Sequence, residues 1–213
     1  MFSGIVAAAC QVRSIEQKSG IHRLTLDLTG LTHNLEIGAS VAINGVCLTV
    51  AAVEDLSVSF EVVQETHNLT NLRLLSTSKL VNVERSIRLG DEIGGHLLSG
   101  HIAGVVEVVQ VQAASNEHGI EFIVPTFWRK YFHTKGYIAL DGVSLTLASY
   151  DHKSGKGVVN LIPETLRRTT LSNVTVGTLL NFEVDSTTLA VVDTVERMLQ
   201  SASMTMSEQK TQS

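Results

Sequence analysis

Two matching stretches of this chain decide its fold: INGVCLTVA at residues 43–51 and LDGVSLTLA at residues 140–148. They begin 97 residues apart and are identical at five of their nine positions. Shorter blocks recur in the same order at offsets of 96 or 99 residues: FSG at 2–4 with LSG at 98–100, ET at 65–66 with ET at 164–165, and VNVE at 81–84 with LNFE at 180–183. This constant order predicts a tandem duplication of a unit of roughly 90–100 residues.

Each copy shows the sequence pattern of short β-strands. Leu24, Leu26 and Leu28 alternate with polar residues, which is the period of a strand with one buried face. The pairs Asn44-Gly45 and Asp141-Gly142 are turn formers set between β-branched residues. Several short strands in about 90 residues predict a small barrel or a sandwich. We favour barrels, because closing a sheet removes its exposed edge strands.

The composition excludes several classes of protein. With 44% hydrophobic residues among 213, the chain can bury a core in one large domain or two small ones. A net charge of -5 argues against a broad nucleic-acid surface. Cys10 and Cys47 are too few for a disulfide framework. The longest uncharged stretch, residues 37–53, carries polar residues, and residues 1–9 lack the basic segment of a signal peptide. We therefore expect a cytoplasmic protein without a membrane partner.

The end of the chain departs from the repeat. From Thr187 onward the sequence reads as one helix, in which Val191, Val195, Met198 and Ala202 follow a 4-3-4 spacing. Such a stripe could pack on a barrel, or it could associate with copies of itself. Fewer than three heptads do not decide between these two interpretations.

The repeated blocks closely resemble those of the riboflavin synthase family. The residues that carry the resemblance are MFSGIV at 1–6, NGVCLTV at 44–50, DEIGGHLLSGH at 91–101, DGVSLT at 141–146 and LIPETL at 161–166. It extends from residue 1 to about residue 199. The order and spacing of the blocks make the resemblance specific, since no single block would.

This resemblance implies an all-β fold of two tandem six-stranded antiparallel Greek-key barrels plus a C-terminal α-helix. The first lumazine-binding barrel and a linker would occupy residues 1–96, and the second barrel residues 97–186. A helix at residues 187–206 would assemble a homotrimer. The family places the first barrel of one subunit opposite the second barrel of a neighbour. Association with lumazine synthase stays open.

The resemblance also implies a transferase. One molecule of 6,7-dimethyl-8-ribityllumazine donates a four-carbon unit to a second, which gives riboflavin and 5-amino-6-(ribitylamino)uracil. No metal and no organic cofactor is implied. Two similar pockets suit a reaction between two identical molecules. Holding both makes the step effectively unimolecular, an effect worth up to roughly 7–11 kcal/mol.

Cys47 lies on a predicted strand, and its partner in the second copy is Ser144. A lone cysteine on a strand is commonly buried packing. The repeat keeps a small side chain with a nucleophile or a hydrogen-bond donor at this position, and the resemblance puts both residues at ligand sites. Whether Cys47 attacks carbon stays open, because thiolate reactivity depends on a lowered pKa.

His101 replaces Ile5 of the first copy. By chemistry alone it could be a hydrogen-bonded structural histidine. The resemblance places it beside the reacting lumazines, where an imidazole could transfer a proton. His96 lies five residues earlier, a spacing that matches no standard zinc motif, so we predict no metal site.

Lys135 replaces Gly38 of the first copy. A lone lysine near a strand end is usually solvated. The resemblance places this one at the second pocket. A cation there would favour the anion formed when the acidic methyl group of the ligand loses a proton.

The segment at residues 1–6 occupies a part of the chain where residues are commonly disordered. Its apolar Phe2 and its place in a repeated block predict instead a first strand that is held beside the first pocket. The resemblance also implies that residues of this segment belong to the substrate site.

The resemblance carries over a defined set of site residues. Catalytic roles are implied for His101, Cys47, Ser144, Thr146 and Lys135. Substrate contacts are implied for those five and for Gly4, Ile5, Val6, Ser40, Leu48, Thr49, Glu61, Val62, Val63, Gln64, Glu65, Thr66, Gly100, Ile102, Leu145, Asn160, Leu161, Ile162, Pro163, Glu164 and Thr165.

Two other functions are compatible with small barrels. A non-catalytic antenna protein would use the same double barrel to hold a lumazine or flavin, and such relatives tend to lose the residues of one pocket. This chain keeps both sets, which favours catalysis. An oligonucleotide-binding barrel is disfavoured by the negative charge and by an aromatic content of 5%.

Overall fold

The computed structural model describes residues 1–18, 20–114 and 117–211. Within these ranges twelve strands form two closed barrels of six strands each. The first barrel contains β1 (Ala8–Lys18), β2 (Ile21–Asp27), β3 (Ser40–Ile43), β4 (Val46–Glu54), β5 (Ser57–Val63) and β6 (Leu80–Arg85). The second contains β7 (Gly104–Ala114), β8 (Glu117–Ile123), β9 (Tyr137–Leu140), β10 (Val143–Asp151), β11 (Lys156–Leu161) and β12 (Leu179–Glu183).

The helical elements follow the repeat. Short helices α1 (Gln64–Leu69) and α2 (Pro163–Arg168) come directly after β5 and β11. Each is followed by a 3-10 turn, at Asn71–Leu74 and at Thr170–Asn173. Thr126–Tyr131 forms a further 3-10 turn, and the long helix α3 spans Ser186–Thr211.

The two barrels share one topology. The strand order around the first is β1-β2-β5-β4-β3-β6, and the order around the second is the same with each number raised by six. All neighbouring strands are antiparallel. In the first barrel β3, β4 and β5 are adjacent in turn, and β6 returns to lie beside β3, which is the order of a Greek key. The predicted pair of six-stranded barrels with a C-terminal helix is therefore confirmed.

Each barrel is closed around its own apolar core, because alternate strand residues point inward. Burial of this surface, worth about 25 cal/mol per Å² of apolar area, favours closure of the barrels. The first core includes Leu26, Leu28, Val58, Phe60 and Val83, which are fully buried. The second core includes Ile120, Phe122, Ile138, Leu140 and Phe182, also fully buried.

The barrels exchange the segments that precede their first strands. Val6 leads into β1 of the first barrel, yet it packs in the core of the second. Ile102 leads into β7 of the second barrel, yet it packs against the core of the first. The two segments also pair with each other, since the amides of Phe2 and Leu98 donate to each other's carbonyls at 2.8 and 3.0 Å. The exchange ties the two copies into one structure.

Buried polar groups join the barrels around the two predicted turns. A Cβ on Gly45 would lie 2.7 Å from the backbone nitrogen of Gly142, so the turns meet where only glycine fits. The side-chain amide of Asn181 donates to the carbonyl of Asn44 at 2.8 Å, and that of Asn82 donates to the carbonyl of Asp141 at 2.9 Å. These matching contacts give the interface an approximate twofold symmetry.

The helix α3 packs on the second barrel, which is one of the two alternatives left open by its sequence, and its apolar stripe stays exposed. Leu189 and Val192 pack against the second barrel's core. Val191, Val195 and Met198 are exposed on the helix surface. The helix begins at Ser186, one residue before the predicted start, and extends past the predicted end at residue 206 to Thr211. Among the described residues, no helix combines the length and the apolar character needed to cross a membrane.

Candidate active site

A cavity of about 330 Å³ opens on the second barrel. All of its lining residues except Ala148 belong to the predicted site. They are Lys135, Ser144, Leu145, Thr146, Ala148, Asn160, Ile162 and Thr165. Strand periodicity explains this face, because Ser144, Thr146 and Ala148 alternate along β10 and therefore point the same way.

The first barrel presents a matching face. Cys47 and Thr49 alternate along β4, Glu61 and Val63 alternate along β5, and Thr66 lies on α1. The register agrees between copies, since Val50 pairs with Phe60 and the equivalent Leu147 pairs with Val159. Both strand pairs shift register directly after these residues. The two faces differ chemically at Lys135 against Gly38, Ser144 against Cys47, and Asn160 against Glu61.

Other residues of the predicted set lie around these faces or away from them. Leu48, Val62 and Leu161 are buried in the barrel cores. Ser40 pairs with Thr49 across β3 and β4. The short helices carry Gln64, Glu65, Pro163 and Glu164. Gln64 contacts His22 and Asn68, and Glu164 forms ion pairs with Arg167 and Arg168. Glu65 is exposed, and Pro163 occupies the first turn of α2.

Lys135 occupies a backbone position built for glycine. Its φ is 69°, in the left-handed region, and Gly38 at the matching position has a φ of 89°. The amides of the two residues make the same hydrogen bond, to the carbonyl of Leu147 at 2.8 Å and of Val50 at 2.9 Å. Strained residues of this kind cluster at functional sites. The strain thus accompanies an ammonium group at the second cavity.

The exchanged segments cover the two faces crosswise. The carbonyl of Gly4 accepts a hydrogen bond from the amide of Ser144 at 2.8 Å, and the carbonyl of Gly100 accepts one from the amide of Cys47 at 2.9 Å. The segment at residues 1–6 therefore lies against the second barrel. The expectation that the first strand is held beside the first pocket is wrong in this respect, although Phe2 is only 1% exposed.

His101 and Ile5 belong to these exchanged segments, so each follows a residue that is bonded to the other barrel. Ile5 directly follows Gly4 at the second barrel, and His101 directly follows Gly100 at the first. Both side chains are exposed, and the segments that carry them, residues 1–6 and 98–102, are the rim segments. His101 thus directly follows a residue bonded to the first barrel, although it lies after the linker in sequence.

Two buried carboxylates hold these rim segments. Glu84 accepts hydrogen bonds from the Ser3 amide at 2.6 Å, the Ser3 hydroxyl at 2.8 Å and the Gly4 amide at 3.0 Å. Glu183 accepts the equivalent three, from Ser99 and Gly100. Burial raises the pKa of both carboxyls, and the bonds they accept oppose that shift. The predicted set contains Gly4 and Gly100 but not Glu84, Glu183 or the two serines, although the FSG, LSG, VNVE and LNFE blocks contain all of them.

His96 is a second group that sequence reasoning did not place. Its Nδ1 lies 2.7 Å from the hydroxyl oxygen of Ser144, and its ring stacks on Tyr137 with centroids 4.8 Å apart. Burial lowers the pKa of His96, which favours the neutral imidazole. The second face therefore has a hydroxyl bonded to a neutral imidazole. Among the described residues, no three His, Cys, Asp or Glu side chains are arranged to hold a metal ion.

The two cysteines lie in different environments. Cys10 is buried in the first core, and burial raises the pKa of its thiol to about 11. Cys47 is partly buried at the first face, where it contacts the apolar cluster of Phe2 and Leu98. Only Cys47 is therefore placed to meet a ligand.

Comparison with known proteins agrees with the duplicated architecture. A family model described as lumazine binding domain matches twice, at residues 3–86 and 99–185. The chain is 42% identical to riboflavin synthase of Escherichia coli (strain K12), with 100% of both chains covered. It is 40% identical to riboflavin synthase of Chlamydia pneumoniae, with 95% of this chain and 98% of the relative covered.

Solved structures share the fold. LumP complexed with riboflavin has a TM-score of 0.79 at 25% identity, covering 86% of this chain and 99% of that chain. LumP complexed with 6,7-dimethyl-8-(1'-D-ribityl) lumazine has a TM-score of 0.78 at 23% identity, with the same coverage. The similarity in shape extends over both barrels.

Proposed function

The chain belongs to the riboflavin synthase family, and we propose that its two matched barrel faces hold the two lumazine molecules of one dismutation. The chain is a transferase. One 6,7-dimethyl-8-ribityllumazine donates a four-carbon unit to the other, and the products are riboflavin and 5-amino-6-(ribitylamino)uracil. The two products together contain all atoms of the two substrates, so the reaction balances without an oxidant or a further donor.

The observation that carries the site assignment is the duplicated face. The second barrel places alternating residues of β10, Asn160 of β11, the following Ile162 and Thr165 of α2 around its cavity, and the first barrel has residues at the matching positions of β4, β5 and α1. A planar, uncharged heterocycle suits such an opening, since few polar groups are needed to orient it in a mostly apolar pocket. Two identical molecules would then be bound by two similar sites.

The differences between the faces give each barrel its own chemistry. His101 and Cys47 act on the lumazine in the first barrel, where the imidazole transfers a proton. Ser144, Thr146 and Lys135 act in the second barrel. There the ammonium group of Lys135 stabilises the anion that forms when the acidic methyl group loses its proton. The other residues of the predicted set supply binding contacts.

A homotrimer is the assembly that we propose. The exposed residues Val191, Val195 and Met198 repeat at the spacing of a self-associating helix, and the opposite face of α3 is already packed on the second barrel. Association through α3 would bring the first barrel of one subunit opposite the second barrel of its neighbour. The lumazines of the two half-sites would then react across the subunit interface.

We also propose the cytoplasm as the location, since Cys10 and Cys47 are both free thiols, which suits a reducing compartment. The proposed domains are residues 1–96, 97–186 and 187–206, with the exchanged segments as crossing contacts between the first two.

A turnover assay tests the function. Purified protein is mixed with 6,7-dimethyl-8-ribityllumazine, and the riboflavin formed and the lumazine consumed are both measured. The proposal predicts two lumazines consumed for each riboflavin. Tight binding of lumazine without riboflavin formation would instead support an antenna protein.

A further inference from the structure

We propose that Glu183 is a positioning residue for His101: from the second barrel, it fixes the segment that carries this imidazole onto the pocket of the first barrel. The inference rests on the proposed role of His101 in the first pocket. It assigns a function to a buried carboxylate that touches neither substrate nor reacting atoms.

The carboxylate binds the segment through three donors. Glu183 is 4% exposed at the end of β12. One of its oxygens accepts from the Ser99 amide at 2.7 Å and from the Ser99 hydroxyl at 2.6 Å, and the other accepts from the Gly100 amide at 3.0 Å. Hydrogen bonds to an ionised group are about twice as strong as neutral ones. The conformation of this segment is thus fixed by one buried group.

A hydrogen-bond relay extends this anchor to His101. The hydroxyl of Ser99 donates to Glu183 and accepts from the backbone amide of His101 at 3.1 Å. The side chain of His101 is exposed, so core packing does not fix it. The position of the imidazole therefore depends on the backbone that Glu183 and Ser99 hold.

The other end of the segment is anchored on the first barrel. The carbonyl of Gly100 accepts from the Cys47 amide at 2.9 Å, and Ile102 packs against the first core. Gly100 has a φ of 81°, and a Cβ there would lie only 2.5 Å from the Cβ of Cys47. The close approach leaves little freedom to the segment. A shift at Glu183 would therefore move His101 relative to Cys47.

The first copy of the repeat supplies a matched control. Glu84 makes the same three hydrogen bonds, to Ser3 and Gly4, and the Ser3 hydroxyl accepts from the amide of Ile5. The residue held through Ser3 is Ile5, and an isoleucine side chain has no proton to gain or lose. Substitution of either glutamate removes an equivalent anchor, but only Glu183 acts through a histidine.

Few titratable groups in the described part of the chain contact the hydrogen bonds that join Glu183, Ser99 and His101. Glu183 faces the segment from β12, and its carboxyl interacts electrostatically with His101. Cys47 contacts the segment from β4 through its backbone amide and its Cβ. His96 and Asp185 interact with each other at the second barrel instead, where His96 contacts Ser144. A change in the pH profile on substitution of Glu183 can therefore be compared with variants of His101 and Cys47.

The experiment compares full-length Glu183→Gln, Glu84→Gln and His101→Gln. The readouts are kcat and KM for 6,7-dimethyl-8-ribityllumazine across the pH range in which imidazole titrates. Glu183→Gln should lower kcat roughly 10- to 100-fold with a smaller change in KM, because a displacement of about 1 Å can cost 10²-fold. In a plot of kcat against pH, we call the rise or fall that disappears in His101→Gln the His101 limb. Glu183→Gln should also shift the pH at which this limb occurs. Glu84→Gln should leave that limb in place.

Two results would overturn the inference. The first is a Glu183→Gln profile with the wild-type limb, and the second is an equal displacement of the limb by both glutamate variants. If Glu183→Gln does not fold, the Ser99→Ala variant tests the inference instead. It removes only the hydroxyl that links Glu183 to the backbone amide of His101. It should move the limb, whereas Ser3→Ala should not, and equal effects of these two would also overturn the inference.

The proposed function can fail separately. Unchanged kcat and an unchanged pH profile in His101→Gln would refute the role of this imidazole, whatever the glutamate variants do. An absence of riboflavin from wild-type protein would refute the function of the site as a whole.

Discussion

At the scale of single residues, Lys135 separates the two pockets by charge and by backbone strain. A left-handed backbone costs a residue with a side chain roughly 1–2 kcal/mol, and glycine adopts it without this penalty. The first copy has Gly38 at the matching position, with a φ of 89° against 69° for Lys135. The chain thus keeps a strained lysine where glycine would be more stable. This is consistent with a role of its cation at the second pocket.

Lys135→Gly should separate stability from activity. The variant relieves the left-handed strain, so we expect its free energy of unfolding to equal or exceed that of wild type by up to about 1 kcal/mol. It loses the cation, so kcat should fall about 100-fold. Lys135→Ala, as the control, should lose the same activity without the gain in stability. Urea unfolding and initial rates measure both, and a Lys135→Gly variant with wild-type kcat would contradict the proposed role.

A stacked pair of imidazoles marks the first barrel. The rings of His22 and His67 are parallel within 2°, with centroids 3.7 Å apart. Burial, and next the charge of His22, lower the pKa of His67 below 6.5. Below that pH the unfolded chain binds more protons than the folded protein. The stabilising contribution of neutral His67 is therefore present above about pH 6.5 and is lost as the pH falls.

His67→Leu should reduce this loss of stability in acid. The second copy has Leu166 at the matching position. The measurement is the urea midpoint of wild type and variant at several pH values between neutral and mildly acidic. The wild-type midpoint should fall more steeply than that of the variant. Parallel curves would show that the stacked pair does not govern acid stability.

At the scale of elements, α3 has two faces with different tasks. Its inner face packs Leu189 and Val192 on the second barrel, and Asp193 accepts a hydrogen bond from Tyr131. Its outer face exposes Val191, Val195 and Met198. Sequence spacing alone left packing and self-association as alternatives. The structure shows that packing uses one stripe and leaves another exposed.

Val195→Asp should dissociate the proposed trimer and leave the barrels folded. The charge lies on the exposed face, so the contacts of the inner face are retained. We expect the mass measured by light scattering to fall from trimer to monomer, with lumazine still bound and riboflavin formation nearly lost. Thr187→Asp, in the first turn, where a negative charge is favourable, should remain a trimer. Full activity in a monomeric Val195→Asp would refute a site shared between subunits.

At the scale of the whole molecule, a buried polar interface fixes the two barrels to each other. Asp141 is buried there at 4% exposure, and burial raises its pKa to about 7. The side-chain amide of Asn71 and the backbone amide of Asn181 both donate to Oδ1 of Asp141 at 2.8 Å. The first copy has the uncharged Asn44 at this position. One ionisable group therefore makes the interface dependent on pH.

Asp141→Asn should remove that dependence. With a raised folded pKa, the contribution of protonated Asp141 to stability is present at low pH and is lost as the pH rises through about 7. This slope is opposite in sign to that of His67, so each single variant isolates one group. The amide oxygen of asparagine can accept the same two hydrogen bonds. Unfolding midpoints between about pH 4 and pH 7 should depend less on pH in the variant, and an unchanged slope would contradict the assignment to Asp141.

Much of the fold could be predicted because duplication is visible in residue order. The blocks at 43–51 and 140–148 indicated the turns between β3 and β4 and between β9 and β10, and the alternation of Leu24, Leu26 and Leu28 indicated the inward face of β2. The crossing of the rim segments could not be predicted, since FSG and LSG do not specify which barrel they contact. The contacts of His96 with Ser144, and of Glu183 with Ser99, join residues 48 and 84 positions apart. No periodic pattern encodes such contacts.

Each riboflavin that the chain makes carries one four-carbon unit from each of two lumazine molecules. The most direct test gives the protein an equal mixture of unlabelled substrate and substrate carrying ¹³C at both methyl groups and at the two ring carbons that bear them. Mass spectrometry of the riboflavin should show unlabelled, half-labelled and fully labelled xylene rings, with the half-labelled form twice as abundant as either other form. Recovery of the lumazine unchanged, or riboflavin without the half-labelled form, would contradict the account.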